Sequence, residues 1–158
     1  YVIDHFYNEN EGLFEYKNKN DEKLIATHFE IEDNVIPSSN AIMGQNLWLL
    51  SIIFENEYYK KVSKNMCNQI IESVDYGSAF SDWLQLFLWQ LPSFEYHVIV
   101  GEKAKENIKK ETARYMANTF LIGTDTENEL PIFKNKWQQN KNLKFVCNNI
   151  SCTDRIEM

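Results

Sequence analysis

The chain lacks most of what would assign it quickly to a functional class. Basic charge is scarce: 16 Lys and Arg against 23 Asp and Glu leave a formal net charge of −7 over 158 residues. That balance argues against general nucleic-acid binding, which needs a basic surface. No apolar run approaches the roughly 18 residues that span a bilayer, and no signal peptide is visible. Cysteine is also scarce. Three is an odd number, which fits a reducing, cytoplasmic compartment better than a disulfide framework. Val100-Gly101 precedes a helical pattern but lacks the glycine-rich fingerprint, so dinucleotide binding is excluded and a plain turn is expected. No second ligand pair accompanies the closely spaced Cys147 and Cys152, so neither metal nor other cofactor is expected.

What is present is organised. Residues 1–8 read as the end of a helix, with Val2 and Phe6 on one face and Gly12 beyond it. Leu13 to Lys17 alternates apolar and polar, the strand period. Asn18 to Asp21 is turn chemistry, and Lys23 to Phe29 returns as the second strand of a hairpin. Helices follow over about 39–55 and 57–74, the second carrying Tyr59, Val62, Met66, Ile70 and Val74 at spacings of three and four. Phe80 to Leu91 is apolar on nearly every side, the pattern of a buried helix, and Pro92 stops it. Phe94 to Val100 then reads as a buried strand, Lys103 to Ala117 as an amphipathic helix and Thr119 to Ile122 as a second strand. That order predicts a right-handed crossover with parallel strands. Residues 124–142 are polar and loop-rich, and Leu143 to Cys147 adds a third strand.

The most informative stretch is Asp33-Asn34-Val35-Ile36-Pro37-Ser38-Ser39-Asn40. A proline and a serine pair stand just ahead of an apolar run, a helix start in which a serine hydroxyl accepts from a first-turn amide. The loop delivers Asp33, Ser38 and Asn40 to the mouth of that helix, where free N–H groups favour acceptors. Glu30, Glu32 and Asp33 make an acidic cluster beside it. Paired carboxylates perform general acid and base work when their environments separate their pKa values. The plainer reading is a capped helix with a solvated acidic loop. His5 and His28 are isolated and read as packed or solvated histidines. Cys147 and Cys152 flank Asn148-Asn149-Ile150-Ser151, a sequence that favours a tight turn and brings them close. Reduced thiols are the expected state, with a reversible redox pair as the alternative.

Four segments, in order, resemble one family. His5-Phe6 with Glu11-Gly12-Leu13-Phe14, then Asp33 to Asn40, then Tyr96-His97-Val98-Ile99-Val100-Gly101, then Phe145 to Cys152 are similar to segments of the YyaL-like, or spermatogenesis-associated, thioredoxin-domain-containing proteins. Ser39 and Ala41 stand where that family more often has glycine and serine. The resemblance implies a fragment: an opening at Tyr1 inside a helical phrase, and a parent several times longer with a thioredoxin-like domain and a six-hairpin α/α toroid. The expected fold is therefore mainly α. Residues 1–92 would be the end of the toroid, with a β-hairpin near 13–29, and residues 93–158 a small α/β unit. The resemblance implies Asp33 as a catalytic residue and Ser38 and Asn40 as substrate-binding ones, acting on a carbohydrate; Glu30, from the acidic cluster beside them, is the second catalytic candidate. The competing reading is a non-enzymatic scaffold that binds protein, above all the thioredoxin-like domain. The expected partners are the rest of the parent chain and, because residues 80–91 carry so much apolar surface, a second copy of this chain. Neither nucleic acid nor membrane is among them.

Overall fold

The protein is described here by a computed structural model, which covers residues 1–22, 27–153 and 155–158. It divides into two compact units. The first comprises residues 1–52 and 56–87, and the second residues 53–55 and 88–158.

In the first unit, α1 (Val2–Phe6) leads into two short antiparallel strands, β1 (Tyr7–Asn8) and β2 (Leu13–Phe14). Gly12, at φ +66°, makes the turn between them, and its amide donates to the Asn8 carbonyl. The apolar run after the serine pair forms α2 (Ser39–Ile53). Asn56 separates it from α3 (Glu57–Ile71) and caps α3, its side-chain oxygen accepting from the Tyr58 and Tyr59 amides at 3.0 and 3.1 Å. Replacing Asn56 with Ala should lower the stability of this unit by about 1 kcal/mol, the ordinary value of an N-cap. Urea unfolding followed by tryptophan fluorescence checks this. Val62, Ser63, Met66, Cys67 and Ile70 form the buried stripe of α3. After a 3-10 turn at Gly77–Ala79 comes α4 (Ser81–Gln90), which begins in the first unit and ends in the second. The core of the first unit gathers Leu13, Phe14, Leu47, Trp48, Met66, Phe80, Trp83 and Leu86.

The second unit is built on a four-stranded sheet of order β4-β3-β5-β6. The apolar segment after Pro92 becomes β3 (Glu95–Val100). It connects through α5 (Ala104–Glu111) to the parallel β4 (Thr119–Thr124) and pairs on its other side with the antiparallel β5 (Leu143–Asn148). A short β6 (Ile156–Glu157) pairs with Leu143 and Lys144. Gly101, at φ +126°, turns the chain out of β3. A Cβ there would run into the Lys141 carbonyl, so only glycine fits. Val98, Ile99, Val100, Phe94, Ile132, Phe133, Leu143 and Cys147 are the core of this unit.

This architecture corrects the expected fold class. Among the described residues there are five α-helices and six strands, about 39% helix and 16% strand. That is a mixed α/β protein, not a mainly α toroid fragment. The reason lies in periodicity, which identifies helices one at a time but carries nothing about how many stack around an axis. The early hairpin is displaced as well. Leu13–Phe14 pairs backwards with Tyr7–Asn8, because the Gly12 turn closes before residue 13. Lys23 to Ala26, the first half of the expected return strand, lie outside the described residues, and Thr27 to Phe29 form no strand. The 80–91 helix is not wrapped on all sides. Trp83 and Leu86 are buried, while Phe87 and Leu88 are 36% and 47% exposed.

Candidate functional site

The sequence-predicted residues do come together, in the first unit. Ser38 caps α2: its hydroxyl accepts from the Ala41 amide at 3.3 Å and donates to the Glu30 carbonyl at 2.9 Å. Asn40 is fully buried and works as a piece of strand. Its side-chain oxygen accepts from the Phe14 amide at 2.7 Å, and its NH2 donates to the Phe14 and Glu30 carbonyls at 2.9 and 3.1 Å. One side chain thus satisfies both backbone groups of Phe14, which burial would otherwise leave unpaired.

Asp33 joins two helix starts. One carboxylate oxygen accepts from the Ser38 amide at 2.9 Å. The other accepts from the Ser81 hydroxyl and the Asp82 amide, both at 2.9 Å, in the first turn of α4. The Asp33 amide donates to the Ala79 carbonyl at 2.7 Å, which fixes the loop from the other side. Burial works to raise the Asp33 pKa, but the donors from Ser38, Asp82 and Ser81 outweigh it and hold the carboxyl below the usual range. Its neighbour moves the other way. Burial first and the Asp33 charge second push Asp82 upward, against a hydrogen bond from Gln45. Glu30 contributes mainly backbone. Its carbonyl receives Ser38 and Asn40, and its carboxylate reaches the Ser39 amide at 3.4 Å. Glu32 is exposed.

The same ties leave the loop tip outside. Val35 and Ile36 are 95% and 66% exposed, on a turn closed by the Asn34 amide donating to the Ile36 carbonyl at 3.0 Å. His5 stacks on Tyr1 and bonds its carbonyl, and His28 is exposed beside Tyr16. Among the described residues, no group of three or more His, Cys, Asp or Glu side chains is arranged to hold a metal ion.

Two features of the second unit differ from the leading expectations. His97 is buried, with Nε2 at 3.4 Å from Glu95, and its Nδ1 has no hydrogen-bond partner among the described residues. The register sets Lys144 opposite Ile99, on the same sheet face as Glu95 and His97. Lys144 binds Glu111 of α5 at 2.7 Å, and that hydrogen bond holds the Glu111 carboxyl below its usual range. The only signal for this cluster was the alternation of polar residues in Glu95-Tyr96-His97, which a buried-strand reading hides. The second feature corrects an expectation: Cys147 and Cys152 are joined as a disulfide rather than standing as free thiols. Cys67 is the free cysteine, and burial pushes its thiol up to about 11.

No known family, curated protein or solved structure matches this chain.

Proposed function

We propose that this chain is a non-enzymatic protein-binding module, and that the loop at residues 33–38 is its contact element. The observation that carries the reading is the occupation of the acidic site. Both Asp33 oxygens, the Ser38 hydroxyl and the Asn40 amide are engaged with backbone groups and with Ser81. A general base or nucleophile needs a free lone pair within reach of substrate, and here three donors that hold the loop take up most of the roughly four acceptor positions of the Asp33 carboxylate. The tethered loop then presents Val35 and Ile36 to solvent, an arrangement that suits an apolar protein contact. The resemblance to thioredoxin-domain-containing proteins makes that domain the partner to test. Val35→Asp combined with Ile36→Asp should leave the fold intact, since both side chains are exposed. Binding of the thioredoxin-like domain of a YyaL-like protein, measured by calorimetry, should weaken at least tenfold, which is about 1.4 kcal/mol. Unchanged binding, or none by the unaltered chain, refutes the reading.

One observation favours a second reading, carbohydrate chemistry. Asp33 and Asp82 are neighbouring carboxyls whose pKa values are pushed in opposite directions, the usual arrangement of an acid–base pair. On that reading Asp82 is the acid and Asp33 the ionised partner. Turnover of a sugar panel that disappears in Asp82→Asn would support it, and an inert panel would remove it.

A further inference from the structure

The Asn148–Ser151 turn is held without help from the disulfide beside it. The Asn148 side chain accepts from the Ile150 and Ser151 amides at 2.8 and 2.9 Å, and the Asn148 amide donates to the Ser151 carbonyl at 2.8 Å. Beyond the turn the Thr153 amide donates to the Val146 carbonyl at 2.7 Å, and the Thr153 hydroxyl accepts from the Val146 amide at 3.3 Å. The Asn149 side chain further donates to the Leu91 carbonyl at 3.2 Å. Cys147 and Cys152 face one another as an antiparallel bridge, only five residues apart in sequence. A cross-link that closes so short a loop removes less entropy from the unfolded chain than one that closes a long loop. The disulfide is thus poorly placed as a staple, since it duplicates what the hydrogen bonds already do.

Its two cysteines also sit in different surroundings. Cys147 is 1% exposed, within the sheet opposite Tyr96, while Cys152 lies on the exposed return segment. Exchange requires a thiolate to reach one sulfur along the S–S axis, so access selects which sulfur is attacked. Here only one residue of the pair is open.

We propose that Cys147–Cys152 is a thiol–disulfide exchange site, entered at Cys152 by a dithiol reductant, with Cys147 as the leaving thiolate. A thiolate of the dithiol attacks the Cys152 sulfur. The Cys147–Cys152 bond breaks, and Cys147 leaves as a thiolate that takes up a proton. The second thiol of the reductant then attacks its own sulfur in the mixed disulfide. This frees Cys152 as a thiol and leaves the reductant as an internal disulfide. Two electrons and two protons have passed from the dithiol to the protein. A monothiol stops at the mixed disulfide, where Cys147 lies close enough to expel it and restore the starting bond. In the reduced chain the return segment keeps the Thr153 contacts and the two β6 pairs, so β5 stays paired on that side. The site is independent of the loop at residues 33–38.

The test uses the native full chain. Dithiothreitol and reduced glutathione are compared at equal thiol concentration, with alkylation and mass analysis locating the freed thiols. Expected are reduction by dithiothreitol at least tenfold faster than by glutathione and no change in that rate across low urea concentrations. A rate that climbs with urea and is the same for both reductants means that the bond opens only on unfolding, and it overturns the proposal. Single-cysteine variants give the second readout. With oxidised glutathione, Cys147→Ser, which leaves Cys152, should form a glutathione mixed disulfide, releasing reduced glutathione, at least tenfold faster than Cys152→Ser, which leaves the buried Cys147. Equal rates overturn the assignment of the entry sulfur.

Discussion

Trp83→Ala should destabilise the first unit by about 3–5 kcal/mol, the range for emptying a large buried aromatic site. Trp83 is fully buried on α4. Its ring lies against the backbone of Gly44, where an added Cβ would come within 3.8 Å of it and 2.7 Å of Leu86. Its indole N–H donates to the Ile31 carbonyl at 2.8 Å, so the residue also tethers the loop that leads to Asp33. Trp83→Phe separates the two contributions. It retains most of the apolar volume and loses the tether, and it should cost about 1–2 kcal/mol through the orphaned carbonyl. The measurement is urea unfolding with CD, analysed for this unit alone because the chain has two. A loss below about 1 kcal/mol for Trp83→Ala would show that the site collapses without penalty and that α4 is not packed as described.

Asp33→Ala should cost about 2–3 kcal/mol at neutral pH, taking charged-acceptor hydrogen bonds and discounting them for the solvent access of the carboxylate. Its signature is the pH dependence. The folded pKa of Asp33 is depressed, so its contribution is fully present above the unfolded carboxyl value near 4. It is lost as pH falls through the folded value, where the proton taken up breaks the bonds to Ser38, Ser81 and Asp82. The stability difference between the unaltered chain and Asp33→Ala should therefore be flat above about pH 5 and shrink as pH falls below about 4, the unfolded carboxyl value. Asp33→Asn should lose that pH dependence too. It also places an NH2 group against the Ser38 amide or the Ser81–Asp82 donors, so it should not rescue stability. A difference that stays constant down to pH 2 would show that the carboxylate does not cap these helices.

The same geometry bears on how the acidic loop is read. From sequence, Asp33, Ser38 and Asn40 have two roles open to them, since a polar pocket and a capped helix require the same residue types at the same mouth. The decision rests on where the lone pairs point. Asn40 is bonded to Phe14, 26 residues earlier, and Asp33 to Asp82, 49 residues later. No local pattern announces partners at such distances. Ser38 is different, because its bond to the Ala41 amide spans three residues, and so the cap could be read directly from the Pro-Ser-Ser order.

The sequence by itself determined the elements whose physics is local. The apolar run after Ser38 makes α2, the three-and-four spacing of Tyr59, Val62, Met66 and Ile70 makes α3, and the apolar segment after Pro92 makes β3. The turn at Asn148 to Ser151 belongs here too, since its side-chain acceptor lies within three residues of both donors. Tertiary structure alone decided the rest. It set the mixed α/β class, because helix periodicity says nothing of how many helices surround a core. It set β5 antiparallel beside β3, which places Lys144 on the face of His97 and Glu95. It joined Asp33 to the start of α4, and it buried Cys147 while leaving Cys152 on an exposed segment. Each of these depends on contacts between residues far apart in the chain, whose closure is governed by the packing of the whole unit rather than by any segment's own preference.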